Sequence, residues 1–552
     1  MSKPAIGPAR RILDLMEKLP GESYGLQDLI DLGRQACREH RFDVALRAFN
    51  HGLNLASSDF NIALFLVNKA MVYGELKQQD KELAMYDDID QRFGESSATA
   101  MREQVSMALA LKVIVLAEQR RFEETLPLYE KMERRYCKRS TPLLRARMAK
   151  ILLNKGMVLG EMKRVEEELA VYADVEQRYA ADGLPEVRLE VAKAMTNACF
   201  VLAQQDRLQE VLAMYDRLDR RYAGDVSTEM RLRVCRGLRH KALILNKLDR
   251  PEDEMVLYDE VVRRYGDDRN LLLSTEVATA IYHKGLTLDQ LQRPEEALAT
   301  YEELFLRYGD ALSPEIRIVL ARALLSKGMS LSQRGESRLE LEAYDELIND
   351  YGADDNATIR LEVAKGLFLK GATLSLAQRD EEALPAFDEL VRRYADDTVE
   401  ELRIKVAKAL FNKGCGLGRL QRHEEELMAY DELVRRFGED GCAEVRAEVA
   451  RALFNKGLTM SQLGRKQEEI AAYEELNCNH HRYATPDLRE KLAKVLLHSG
   501  TELKRTGQHE EALEVLRWAA ELVQQQSPPL LRDIEAELHP LEGRDQPPRI
   551  LH

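Results

Sequence analysis

Apolar positions along this chain recur at spacings of four and three. Between 443 and 463, Val445, Val449, Leu453, Gly457, Met460 and Leu463 follow at intervals of 4, 4, 4, 3 and 3, which lines one side of a helix. The spacing predicts a helix from Ala443 to about Leu463. After a short polar turn, Ile470, Tyr473 and Leu476, three residues apart, predict a second helix from Gln467 to about Leu476. The same two-part pattern returns every 43 residues, with its anchor at 70, 113, 156, 199, 242, 285, 328, 371, 414, 457 and 500, and a further unit anchored at Gly33 precedes these by 37. A chain of 552 residues is ordinarily read as two to four domains. The period instead predicts one array whose units bury their apolar faces on each other. The expected fold class is all-α, an α-solenoid.

Within each unit, small and large positions alternate. The anchor is glycine in Gly33, Gly156, Gly285, Gly328, Gly371, Gly414, Gly457 and Gly500; elsewhere it is Ala70, Val113, Cys199 or Ala242. A small residue in mid-helix lets a partner helix approach, offsetting the helix propensity it gives up. Alanines twelve residues on (Ala45, Ala297, Ala383, Ala512) do the same from the partner side, and an aromatic sixteen on, from Tyr86 to Tyr473, fills the space between. In the last unit Leu516 replaces the aromatic and the sole tryptophan, Trp518, follows it. Acidic turns such as those at 265–268, 351–355, 394–397 and 437–440 carry the Gly and Asp that end one helix and start the next. Arginines crowd the last turn of the second helix, at Arg263, Arg264, Arg392, Arg393, Arg435 and Arg436, where the helix dipole favours cations. The domains expected are a lead-in at 1–22, with a short helix from Arg10 to Leu19 covering the first unit, the array at 23–525, and a C-terminal cap and tail at 526–552. That last part holds a capping helix at 529–539 and a disordered tail from 541.

Composition narrows the function. Hydrophobic residues at 45% and charged ones at 32% suit a folded, solvated chain, and sparse Gly (30) and Pro (16) suit helices. The net charge of −14 is spread along the whole length, which argues against nucleic acid as the partner. The seven cysteines (Cys37, Cys137, Cys199, Cys235, Cys415, Cys442 and Cys478) follow no disulfide framework, so a reducing, cytoplasmic setting is expected. The N-terminal residues lack a secretory pattern, and no run of 18 apolar residues offers a membrane span.

The segment Ala409 to Gly438 resembles a tetratricopeptide repeat. Leu410 stands at the family's first large apolar position, Gly414 at its glycine, Leu417 at the large residue after it, Tyr430 at the second-helix aromatic and Gly438 near the usual proline. Glu426 stands where the family has alanine, and Ala297 and Ala383 match better in their own units. The resemblance covers residues 27–525 and implies a right-handed superhelix of helical hairpins that binds protein partners in its inner groove. Two departures stand out. The unit is 43 residues against the family's 34, the surplus lengthening the first helix, as at 443–451. The residue before the anchor, expected to be apolar, is lysine in nine units.

That lysine column is the first candidate site: Lys69, Lys112, Lys155, Lys241, Lys284, Lys327, Lys370, Lys413 and Lys456. The residue before each is often Asn or His, namely Asn68, Asn154, Asn412 and Asn455, with His240 and His283. Some family members clamp a terminal carboxylate with Lys and Asn, so the resemblance implies a comparable peptide-binding ladder. The structural alternative has each lysine snorkel past the core to a glutamate such as Glu295, Glu424 or Glu425. A second column, Arg102, Arg145, Arg188, Arg231, Arg317, Arg360, Arg403, Arg446 and Arg489, broken by Ser274, is expected to bridge to the acidic turns and set the angle between units. One stretch breaks the rhythm: from Leu476 to Tyr483 the chain carries Cys478, His480 and His481 where other units read LVRRYG. With His498 one helix away these offer metal-ligating atoms, but no closed zinc site forms from that spacing. A remodelled loop is expected there, with no metal and no cofactor. Nucleotide-binding, metalloprotease and hydrolase motifs are absent; HEEEL at 423–427 and HEEAL at 509–513 end in leucine where a second histidine is needed. The expected function is a non-catalytic protein-interaction scaffold that takes a peptide or small domain along its inner face. The rivals are a sensor or regulatory subunit of a separate effector enzyme, a nucleic-acid binder using the Lys and Arg columns, and a self-associating array.

Overall fold

The computed structural model describes residues 25–137, 141–480, 483, 485–524 and 527–542. The expected lead-in at 1–22 and residues 543–552 of the expected tail lie outside these. The chain divides into two units, 1–265 and 266–552. Among the described residues every regular element is helical.

The first unit holds six helical pairs: Leu26–Arg38 with Phe42–Leu55, Asp59–Glu75 with Gln79–Phe93, Thr99–Glu118 with Phe122–Tyr136, Pro142–Glu161 with Val165–Tyr179, Pro185–Gln204 with Leu208–Tyr222, and Thr228–Lys247 with Pro251–Tyr265. The second unit continues with Leu271–Gln290 and Pro294–Tyr308, Pro314–Gln333 and Ser337–Tyr351, Ala357–Leu376 and Asp380–Tyr394, Glu400–Arg419 and His423–Phe437, Ala443–Gln462 and Lys466–Glu475, and Pro486–Arg505 and His509–Val523. A last helix, Pro528–Glu542, takes in positions 541 and 542 that the sequence assigned to the tail. Within each unit, up to Ala443–Gln462, neighbouring first helices pack on each other, and each packs on its own second helix and on the preceding one. In each unit these first helices form a layer.

Local chemistry explains the boundaries. Proline opens several helices where its missing N–H costs nothing, as at Pro142, Pro185, Pro314 and Pro486. Side chains of Thr141, Asn270, Asn356 and Thr485 accept from the free N–H groups that follow. Between the two helices of a pair the chain turns through one left-handed residue. Glycine takes that place only at Gly335, Gly464 and Gly507; elsewhere it is His40, Lys77, Arg120, Lys163, Asp206, Asp249, Gln292, Gln378 or Gln421, with φ of 54° to 61°. The glycines of the acidic turns do not serve this purpose: Gly309, Gly352 and Gly438 cap the second helices in right-handed conformation.

The core is built on the anchor column. A Cβ at Gly414 would stand 2.3 Å from Tyr430 Cε1, and the same contact would be 2.3 Å at Gly156 on Tyr172, 2.4 Å at Gly285 on Tyr301 and 2.3 Å at Gly457 on Tyr473. The rings therefore lie directly on backbone, fully buried. The arginine column closes each unit. Arg145 reaches Asp182 (2.7 Å), Arg188 reaches Asp225 (2.7 Å), Arg317 reaches Asp354 (3.0 Å) and Arg403 reaches Asp440 (2.9 Å), while Arg360 pairs with Asp397. The other oxygen of each aspartate accepts from the backbone N–H two residues on, as in Asp182 to Leu184 (2.9 Å) and Asp440 to Cys442 (2.8 Å). Several of these guanidinium groups also lie over the tyrosine ending the second helix, Arg317 over Tyr351 at 4.7 Å. Where Ser274 interrupts the column, its hydroxyl donates to the Asp268 carbonyl at 3.1 Å.

Candidate functional site

The lysine column faces the second helix of the preceding pair. Lys241 meets Asp216, Lys370 meets Asp345, Lys413 meets Asp388 and Lys456 meets Asp431, each at 2.5 Å, and Lys112 pairs with Asp87. Lys155 reaches Glu133 at 2.8 Å. Lys327 and Lys69 instead stand over the Phe305 and Tyr73 rings, at 5.6 and 5.9 Å. Lys284 and Asn412 hold the same columns, part-buried. The partners are thus aspartates one residue past the buried aromatic, not Glu295, Glu424 or Glu425, because the side chain projects toward the neighbouring pair rather than its own. In the five aspartate pairs the lysine is 15–27% exposed and the carboxylate 47–60%. An anionic ligand would have to displace a carboxylate that is already there.

The column one residue earlier reaches the buried tyrosines. Asn455 Nδ2 donates to Tyr430 Oη at 3.3 Å, His240 and Tyr215 Oη stand 3.5 Å apart, and Asn197 and Ser326 bond Tyr172 and Tyr301. Asn68 is buried, donating to the Leu64 carbonyl at 2.7 Å and accepting from Arg34 at 3.0 Å. Asn154 lines a cleft beside Met157.

A set of buried carboxylates escapes a reading of the sequence. Twelve residues past the anchor, where the repeat has alanine elsewhere, Glu82, Glu168, Glu254, Glu340, Glu426 and Glu469 are all buried. Glu82 and Glu168 accept from Tyr86 and Tyr172 Oη at 3.1 Å; burial raises both pKa values above the usual carboxylate range, the tyrosine bond opposing it. Glu340 and Glu426 accept from the hydroxyls of Thr373 (2.7 Å) and Thr459 (2.8 Å) in the next pair. Where Ala297 takes this place, Asp289 supplies the carboxylate to Tyr301 Oη at 2.8 Å. Glu340, Glu426 and Glu469 thus join successive pairs, Glu469 accepting from the Ser499 hydroxyl. Their signal was the same 43-residue spacing, masked because acids at a helix start also suit the dipole.

The irregular stretch departs as a π-helical turn, Leu476–His480, after a second helix of 10 residues against 15 in His423–Phe437. Cys478 is exposed. His481 lies outside the described residues, and so does the side chain of His480. Among the described residues no group of three or more His, Cys, Asp or Glu is arranged to hold a metal ion, and no helix is long and apolar enough to cross a membrane.

The layer of first helices carries a feature of another kind. One residue past the anchor, Met71, Ile114, Met157 and Phe200 of the first unit are 46, 38, 53 and 66% exposed. Large apolar side chains left in water at the same point of four successive helices make a patterned apolar stripe. Clefts open beside its members: 540 Å³ beside Met71, 410 Å³ between Ile114 and Met157, and 620 Å³ between Phe200 and Leu243. Their rims differ. Glu118 and Glu161 with Arg120 border the second, while Arg233, Arg236 and Lys247 with Glu229 border the third.

The Tetratricopeptide repeat model matches two segments of the chain, residues 278–307 and 450–476. No curated protein matches the chain. Among solved structures, a tetratricopeptide repeat protein from Parabacteroides merdae is 12% identical, with 56% of this chain and 98% of that one covered and a TM-score of 0.29. The apo form of RapI is 11% identical, with 68% and 98% covered and a TM-score of 0.40. The APC/C hetero-tetramer Cut9-Hcn1 is 11% identical, with 94% and 96% covered and a TM-score of 0.26. Among the described residues the chain is all-α, built of repeated helical pairs in each unit.

Proposed function

We propose that this chain is a non-catalytic scaffold that docks a protein partner, as a peptide or small domain, along the face of its first helices. The observation that carries this is the exposed stripe Met71, Ile114, Met157 and Phe200 with its bordering clefts. A preformed surface of rigid helices binds at little ordering cost, through several modest contacts. The reading includes a tetratricopeptide variant of 43-residue units with a lengthened first helix. First helices of 20 residues, such as Glu400–Arg419 and Ala443–Gln462 at positions 43 apart, support it. The array is taken to run over 23–525, flanked by caps at 1–22 and 526–552, and to work in the cytoplasm. The lysine and asparagine columns serve first as bonds between units; a role in binding would require the aspartates to give way.

Pull-down from native lysate tests this, with three baits: the natural chain, a variant with Met157→Asp and Phe200→Asp, and a variant with Lys370→Glu, Lys413→Glu and Lys456→Glu. The stripe variant is expected to lose prey that the natural chain retains, and the lysine variant to keep it. Loss confined to the lysine variant would move the site to the ladder. Equal catches from all three would refute docking on this face.

A further inference from the structure

Of the three clefts, the one between Phe200 and Leu243 has the largest excess of cations over carboxylates. Its walls are helices Pro185–Gln204 and Thr228–Lys247, and among its described lining residues Glu229 is the one carboxylate, against Arg233, Arg236 and Lys247. Arg233 sits part-buried in this wall. Its Nη1 donates to Thr196 Oγ1 at 2.9 Å, but its Nε is buried with no hydrogen-bond partner among the described residues. Burial lowers the guanidinium's pKa, a sign that its charge is poorly solvated. A buried, half-satisfied guanidinium is costly to keep and matches the fork of a carboxylate. Beside it Phe200, 66% exposed, offers a ring face to an apolar side chain. Cys199 in the same wall is no nucleophile: burial pushes its thiol up to about 12.

We infer that this cleft receives a partner segment presenting an Asp or Glu carboxylate next to a bulky apolar side chain, the carboxylate meeting Arg233 and the apolar group lying on Phe200 and Leu243. The inference rests on the docking face proposed above and names the chemistry of its partner. Charge complementarity selects it: the cleft between Ile114 and Met157 sets two carboxylates, Glu118 and Glu161, against Arg120 alone, and favours the same segment less. Nucleic acid is disfavoured because the wall is mostly apolar and Glu229 stands on it.

The test is selection of random dodecapeptides displayed on phage, run on the full natural chain and in parallel on Arg233→Gln and Phe200→Ser variants. Enriched sequences are expected to place Asp or Glu within two positions of Leu, Ile, Met or Phe, and to bind each variant at least tenfold more weakly by fluorescence anisotropy. Synthetic peptides with those acids changed to Asn or Gln are expected to lose at least tenfold as well, a comparison that leaves the protein untouched. Winners without acids, or winners held equally by Arg233→Gln, would overturn the inference while leaving peptide docking standing. Displacement of the winners by equimolar single-stranded RNA would also overturn it. Absence of any enrichment over bare beads would sink the docking reading itself.

Discussion

Replacing Gly414 by alanine tests whether the anchor column sets the distance between paired helices. The added Cβ would lie 2.3 Å from Tyr430 Cε1, 2.7 Å from Cζ and 2.8 Å from Cδ1, all well inside van der Waals contact. The ring cannot retreat freely, since Tyr430 is fully buried and its hydroxyl is held by Asn455 at 3.3 Å. Forced overpacking of this kind costs about 1–3 kcal/mol, and alanine returns about 1 kcal/mol in helix propensity over glycine. The expected net loss is about 1 kcal/mol. A control, Gly224→Ala, has nothing within 4 Å of its new Cβ and is expected to change stability by no more than about 0.5 kcal/mol. Because unfolding of a repeat array need not be two-state, urea melts followed by circular dichroism are to be paired with hydrogen exchange of Glu400–Arg419 and His423–Phe437. In a Tyr430→Ala background the penalty disappears, so the double-mutant cycle isolates the contact. If Gly414→Ala matched or exceeded the natural chain in stability, or cost the same without the ring, close approach at the anchor would not be what packs these helices.

Three further outcomes are expected. Gln421 holds φ of 61°, so Gln421→Gly is expected to raise stability by about 0.5–1 kcal/mol in urea melts, and a loss would mean that the side chain contributes contacts of its own. Asp440 is held below the usual carboxylate range: burial works against this, but the Cys442 backbone N–H and the Arg403 guanidinium outweigh it. Its contribution is therefore full above its unfolded pKa and disappears as pH falls below about 4; Asp440→Asn should cost about 1 kcal/mol at pH 7 and lose that part of the acid sensitivity. Glu168 behaves oppositely, because its folded pKa is raised by burial: folding gains as pH falls from 7 toward the unfolded value, and Glu168→Gln should abolish that gain when melts at pH 7 and pH 5 are compared.

Helix identity and position were legible because side chains facing a neighbour repeat with helical period. The helix read from Ala443 to about Leu463 is Ala443–Gln462, and its partner read from Gln467 is Lys466–Glu475. The charge pairing of the arginine column was also legible, since Arg403 and Asp440 lie at complementary fixed points of the unit. What failed has a common cause. A first helix touches its own partner and both neighbours, so apolar residues surround most of it and periodicity cannot single out the side left in water. Spacing therefore does not mark Phe200 as 66% exposed or Glu426 as buried. The lysine partners were misassigned for a related reason: spacing tells where a side chain recurs but not whether it leans on its own pair or the preceding one, and Lys456 leans on Asp431.

Recurrence itself separates structural columns from recognition. Columns that must fit a neighbour keep one chemistry: Lys with Asp, Arg with Asp, small residue with ring. From Met71 to Leu243 the outward column is apolar, Arg34 holding its place in the first pair, yet the position four residues beyond it changes sign along the helices, from Glu75, Glu118 and Glu161 through Gln204 to Lys247. No packing requirement imposes that gradient, since the helices stack alike from pair to pair. A segment laid from Ile114 through Met157 to Phe200 would meet Glu118 and Glu161 at one end and the Arg233 cluster at the other. Only one orientation would then place its acids beside cations, because the reverse sets like charges together at both ends. The repeated columns hold the face rigid, and the column that varies gives it a direction.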